Sequence, residues 1–393
     1  MPKVIGADIC KNRLIFCCLE SEPIDPKEQF WQTEFNMAFL NVEGLHLVLA
    51  HNPDVVVIEP TGVHYARLWI DQLAAHGIKV VLVHNNRLPK FRSETLNFPD
   101  KDDEIDAYAL ACYWFRYNES SRRFVQQRDP IIVRLREINL TIRSYNHIQN
   151  RIFNRIKQQL CWQFPEVSDR ITMNAPLFFR WLAGISKSER YDNLLSKSIA
   201  SSPITEELKF EARELSHYMD ASKKLEIELE SILMYPEFDS YRKVFKEFEL
   251  GLKLSAMLLS YIYPIEDFLK DGKPEVVTSR GRISKKPTKK YLSLRRFRKA
   301  IGVANTREDS GDKKKSRRAG SGLCREQLFL WSLRTIERNR SPFLKTELGK
   351  KLRGYLEIKI SKGKHRNKAR ACLISKMAEL LFNALVTEIV TDN

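Results

Sequence analysis

The chain has 393 residues, 43% of them hydrophobic and 10% aromatic, and carries a formal net charge of +17. That composition argues against wholesale disorder and allows two or three domains, each with its own core. No apolar stretch approaches the about twenty residues of a membrane span, and the opening "MPKVIGADICKNRL" reads as a strand rather than a signal peptide. Seven cysteines without a CxxC pair, and eight histidines without ligand spacing, point to reduced thiols in a cytosolic protein and to no zinc site.

In chain order, "KVIGADI" and "RLIFCCLE" predict two strands joined by a tight "CKN" connection, and "DVVVIEP" predicts a third. "HYARLWIDQLAAHG" has apolar spacing of three and four and stops at Gly77, as an amphipathic helix does. "IKVVLVHNN" is a further buried strand, followed by an acidic patch and the helix "DEIDAYALACYWFRY". An opening hairpin followed by alternating strand and helix predicts a mixed α/β sheet domain over residues 1–118.

From residue 119 the pattern becomes helical. Ile138, Ile142, Tyr145, Ile152 and Ile156 follow heptad spacing with Gln149 at one seam position, and "ITEELKFEARELSHYMDASKKLEIELESILM" is a second long helical segment. These predict a coiled-coil-like arm over 119–245. Residues 246–393 read as a mostly helical domain interrupted by a basic segment at 272–290, whose Gly and Pro content argues for irregular structure, and by a Gly-rich polar turn near 310.

Residues 1–118 carry 11 Lys and Arg against 16 Asp and Glu, whereas residues 270–325 carry 19 against 5. An acidic domain beside a basic block suits a polyanion held by one part and worked on by another. A solvated basic loop is the plainer reading of the charge run alone.

The acids are arranged more specifically than their number implies. Asp8 is embedded in the apolar run "VIGADI", where an unpaired carboxylate is costly, and Glu59 closes the buried run "VVVIE". "DKDDEIDAYALA" opens a helix with Asp100, Asp102, Asp103, Glu104 and Asp106. Capping and the helix dipole explain some of them. Asp103 and Asp106, at i and i+3, project from one face. Asp102 and Asp106, at i and i+4, would serve as well. With Asp8 and Glu59 such a set could hold two hard cations, Mg²⁺ or Mn²⁺, for phosphodiester chemistry.

"GADICKNRLIFCCL", "VVVIEPTGVHYARLWIDQLAAHGIKVVLVHNN" and "KDDEIDAYALA" resemble the RuvC-like half of the DEDD transposases of the insertion-sequence-110 family, which includes the Piv-type DNA invertases. "FRKAIGVANTREDSGDKKKSRRAGSGLCREQLFLW" and "KGKHRNKARACLISKMAELLFNAL" resemble that family's second transposase domain. The resemblance implies a RuvC/RNase H-like sheet domain, metal ligands at Asp8, Glu59, Asp103 and Asp106, and Asp100 and Asp102 as capping acids. It also implies that the serine of the Ser-Gly pair, Ser310, is the nucleophile, with Ser316 and Ser321 as competitors. Arg307, Lys313, Lys314, Lys315, Arg317 and Arg318 stand near it in sequence to offset phosphate charge.

The partners so implied are double-stranded donor and target DNA and a structured noncoding bridge RNA, with a homodimer or homotetramer acting at the nucleoid of a prokaryotic cytosol. Two rivals follow from the residues themselves. One is a Holliday-junction-type nuclease using the acids alone. The other is a non-catalytic nucleic-acid-binding protein whose acids only cap and pair, and whose "EDSGDKKK" is an exposed loop.

Overall fold

The computed structural model describes residues 2–60, 63–120, 123–125, 128–200, 203–280, 286–310 and 313–390, excluding the side chains of 63, 64, 307–310, 313–316 and 390. The chain divides into two compact units, Met1–Arg128 and Asp129–Asn393.

The first unit is built on a six-stranded mixed sheet. Its strands are β1 (Val4–Cys10), β2 (Arg13–Leu19), β3 (Phe35–Phe39), β4 (Val55–Ile58), β5 (Lys79–Val83) and β6 (Phe124–Val125), in the order β3-β2-β1-β4-β5-β6. β1, β2 and β3 form an antiparallel meander. β4 and β5 add in parallel to β1. A helix, Val63–Ala75, joins those two parallel strands, as a crossover requires. The predicted strands and both predicted helices are present. β3 and the helices Pro26–Gln32 and Val42–Ala50 were not foreseen, because segments this short display no readable apolar period.

Side-chain alternation splits the core into two layers. Val4, Val55, Val57, Cys17 and Leu19 pack against the Asp103–Tyr117 helix, whereas Ile5, Ala7, Ile9, Phe16, Val56 and Ile58 pack on the opposite face with Trp69 and Leu73. Gly6 faces the Asp103–Tyr117 helix at a point of very close approach. A Cβ there would lie 2.0 Å from the Ala107 carbonyl oxygen and 2.6 Å from the Ala111 nitrogen.

In the second unit the helices Pro130–Gln163 and Glu206–Leu233 run antiparallel. Arg134 pairs with Glu228 at 2.7 Å near one end, and Arg155 pairs with Glu211 at 2.5 Å towards the other. Along the heptad seam Ile138, Ile142 and Ile156 are buried and Tyr145 and Ile152 are half-buried, and the buried Gln149 amide donates to the Tyr218 carbonyl at 3.0 Å and to the Ser222 hydroxyl at 2.8 Å. One end of the pair buries Phe164, Phe178 and Phe179 with Leu208 and Leu215; the other joins the larger core of the carboxy-terminal helices, with Phe238, Phe297, Leu373 and Leu381.

The basic segment at 272–290 departs from its irregular reading. Strands β7 (Val276–Arg280) and β8 (Pro287–Tyr291) pair as a hairpin. The residues of these two strands are almost wholly exposed, so no buried face imprinted a period on the sequence, and Pro287 sits at a strand's first position, where a missing N–H is tolerated. The Gly-rich turn near 310 is likewise a hairpin, of β9 (Ala304–Ser310) and β10 (Lys313–Ala319).

The Gly6 contact gives the fold a direct test. Gly6→Ala drives a methyl group into the backbone of the Asp103–Tyr117 helix and is expected to destabilise the protein by about 2 kcal/mol or more, read as a lowered urea midpoint. An unchanged midpoint would mean the helix can lift from the sheet at little cost.

Candidate functional site

Two strand ends and one helix start carry the acids. The parallel pairing of β1 with β4 ends at Ala7 opposite Ile58, so Asp8 and Glu59 stand side by side one residue further on. Counting by two along each strand puts Asp8 on the face of Gly6 and Glu59 on the face of Val57, the face covered by the Asp103–Tyr117 helix. That helix is pressed onto β1 through Ala107 and Ala111, which brings its first turn, with Asp103 and Asp106, to the same end of the sheet. Asp102 is its N-cap, accepting a hydrogen bond from the Glu104 amide at 2.9 Å.

Electrostatics register the convergence. The Asp8 carboxyl is pushed up to about 7, first by burial and then by the negative charges of Asp106, Asp103 and Glu59, with Lys101 acting in the opposite direction. Four carboxylates from three elements therefore share one field. Asp106 is 2% exposed, and its carboxylate is held by the guanidinium of Arg92, itself 7% exposed. Arg92 comes from the π-helical turn Phe91–Thr95, a backbone form enriched at functional sites.

Among the described residues, no three of His, Cys, Asp and Glu stand close enough to form a ready-made metal cage. Repulsion between like charges and the grip of Arg92 on Asp106 both oppose closer approach. The donor set nonetheless fits a hard divalent cation. It is all oxygen, and its negative charges add to burial in raising the Asp8 carboxyl. The sequence offered no sign of Arg92. A single Arg in "KFRSET" looks like any surface cation until the fold buries it.

Ser310 is the last residue of β9, opposite Lys313, and its side chain lies outside the described set, as do those of Arg307, Lys313, Lys314, Lys315 and Ser316. The register places positions 310, 313, 315 and 317 on one face of the hairpin and positions 307, 314 and 318 on the other. Arg317 and Arg318 are exposed. Ser321 is a helix N-cap, accepting from the Cys324 amide at 3.1 Å. The foot of the hairpin is fixed by two glycines of positive φ, Gly302 and Gly320, where a Cβ would lie 1.9 Å from the Ser321 carbonyl oxygen and 1.5 Å from the Lys299 carbonyl oxygen.

Residues 5–165 match the sequence profile of the insertion-sequence-110 DEDD transposases, a family described as transposase. Over these residues the chain is similar to that family. The matched span includes Asp8, Glu59, Asp103 and Asp106 and stops well before Ser310. A Sinorhizobium fredii protein carrying a transposase name, y4uE, is 28% identical over 96 residues, which is 24% of this chain and 26% of that protein. The chain thus matches about a quarter of that relative's length. Among the described residues no helix is long and apolar enough to cross a membrane.

Two predictions test the acidic cluster. Asp8 ionises near 3.8 in an ordinary setting and near 7 in the folded chain, so between those values the native state binds the extra proton and stability falls as pH rises, levelling off above about 7. Asp8→Asn is expected to flatten that slope and to raise the urea midpoint at pH 8 in the presence of a chelator. Arg92→Met strands a buried carboxylate and is expected to cost about 3 kcal/mol, with Asp106→Asn in the same chain recovering part of the loss. A double variant no more stable than Arg92→Met would show that the pair is not coupled.

Proposed function

We propose that this protein is a DNA transposase-recombinase whose sheet domain is RuvC/RNase H-like and whose strand chemistry uses two sets of residues. Asp8, Glu59, Asp103 and Asp106 would hold Mg²⁺, or Mn²⁺ in its place. Bound there, the cations would supply Lewis-acid stabilisation of phosphate charge. Ser310 is the nucleophile: its hydroxyl oxygen bonds to phosphorus, one phosphorus–oxygen bond of the DNA backbone breaks, and the released sugar hydroxyl takes the proton. Attack on the phosphoserine by a sugar hydroxyl from another strand end then reforms the backbone and regenerates the serine. Basic positions on the same hairpin, Lys313, Lys315 and Arg317 above all, offset phosphate charge beside it.

The observation that carries this reading is the placement of Asp8, buried at the end of β1 within the field of Asp106, Asp103 and Glu59, acids from a second strand and a helix, all inside the family-matched region. The strand order β3-β2-β1-β4-β5 supports the RNase H-like assignment. Donor and target DNA, a guiding bridge RNA, a dimer or tetramer, and a site of action in the prokaryotic cytosol at the nucleoid belong to the same proposal. One observation favours a second reading. The family match ends at residue 165, so a metal-dependent nuclease with a silent Ser310 shares all of its support from the acids.

Incubating the protein with DNA recovered from its own purification, in Mg²⁺, separates the two. The expected result is a denaturant-stable protein–DNA adduct that is lost in Ser310→Ala and in Asp8→Ala. Cutting without an adduct, unaffected by Ser310→Ala, would leave the nuclease.

A further inference from the structure

The second unit contains a cleft of about 760 Å³ at the foot of the β9–β10 hairpin. Its walls come from the hairpin's base and from the helices Leu292–Ala300, Gly322–Trp331, Glu347–Ser361 and Arg366–Val390. Neither the acidic cluster nor the proposed nucleophile uses it.

Its charge is not self-compensated. The lining includes Arg298, Arg318, Arg325, Lys368 and Lys376, together with Glu326 and Glu379. Both carboxylates are already engaged: Glu379 by Arg298 at 3.0 Å and Lys376 at 2.6 Å, and Glu326 by Arg143 at 2.9 Å. Arg325 is fixed in place by donating to the Gly302 carbonyl at 2.9 Å. Arg318 and Lys368 are exposed. The surplus at the cleft is therefore cationic.

The cleft also has half-buried aromatic rings, Phe329 and Tyr355. Each is backed by a cation: the Arg370 guanidinium lies 5.4 Å from the Phe329 centroid, and the Lys359 ammonium lies 4.9 Å from that of Tyr355. Arg370 is anchored to Glu337, so that backing is fixed. Aromatic faces beside unpaired cations suit a base and its phosphate. The volume falls within the range of small-ligand pockets and is too small for a duplex.

We infer that this cleft binds one unstacked nucleotide of a single nucleic-acid strand, its base on Tyr355 or Phe329 and its phosphate on Arg318 and Lys368. The inference rests on the reading of the protein as one that works on nucleic acid. Asn305 and Arg318, at the mouth of the cleft, face each other across the hairpin five residues from Ser310. Five strand residues span about 17 Å, and stacked nucleotides rise about 3.4 Å each. The anchored nucleotide therefore stands about five stacked positions, or fewer in an extended strand, from a phosphate at Ser310. The cleft thereby sets the register in which a strand is offered to the hairpin.

The test uses the full chain and single-stranded oligonucleotides, DNA and RNA in separate arms, carrying 2-aminopurine at successive positions. The expected result is a fluorescence change confined to one position, with single strands binding more tightly than the matching duplex. Removing the ring that holds the base, by Tyr355→Leu or Phe329→Leu, is expected to abolish that change and weaken binding about tenfold. Lys368→Gln, on an exposed side chain that cannot unfold the protein, is expected to lower the slope of log affinity against log salt by about one. A position-specific change in one arm only tells which strand, DNA or RNA, the cleft takes. Equal binding of duplex and single strand, with no substitution altering affinity or fluorescence, would overturn the inference even if the Ser310 adduct forms. A position-specific change without any adduct would uphold the cleft and defeat the catalytic reading instead.

Discussion

The arrangement of the amino-terminal unit depends on one contact, the seating of the Asp103–Tyr117 helix on Gly6 of β1. With no side chain at Gly6, the helix backbone at Ala107 and Ala111 comes down almost onto the strand. That closeness fixes where the helix begins. Its start in turn decides where Asp103 and Asp106 stand relative to Asp8 and Glu59, which the paired ends of β1 and β4 hold side by side. Small residues at this crossing are therefore a condition of the acidic cluster as well as of the core.

Bringing four carboxylates together has an electrostatic cost, and the fold meets it in two ways. Asp8 keeps its proton to about neutral pH, and Arg92 supplies a buried positive charge to Asp106. Burial is the larger cause at Asp8, and the acids around it add to the shift, so the site would gain from further positive charge. This is the physical basis for proposing divalent cations there, and it follows from the residues without reference to any relative.

The second unit solves a different problem, that of holding a highly charged hairpin in a defined place. Gly302 and Gly320 allow the hairpin's foot to lie against the chain at Lys299 and Ser321, and Arg325 ties the Gly302 carbonyl to the following helix. The long helix pair is held in register by Gln149, whose amide finds Tyr218 and Ser222 across the seam. A polar group in an apolar seam disfavours any alignment that leaves it unsatisfied, so Gln149 specifies the pairing more than it strengthens it.

Much of this was legible in the sequence. Runs such as "VVVI" and "KVVLV", the heptad Ile138–Ile142–Ile156 with Gln149 between, and the clustered acids before "IDAYALA" each carry a local period or a local charge density, and local patterns are what a chain displays in one dimension. The exposed strands Val276–Arg280 and Pro287–Tyr291 left no such trace, because strands without a buried face have no reason to alternate. Which acids share a field, that Arg92 is buried against one of them, and that cations and rings more than fifty residues apart in sequence line one cleft were decided only by tertiary structure. Sequence by itself determined the elements and the kinds of side chain available. Burial and proximity, which set charge state and grouping, exist only once distant segments are packed together.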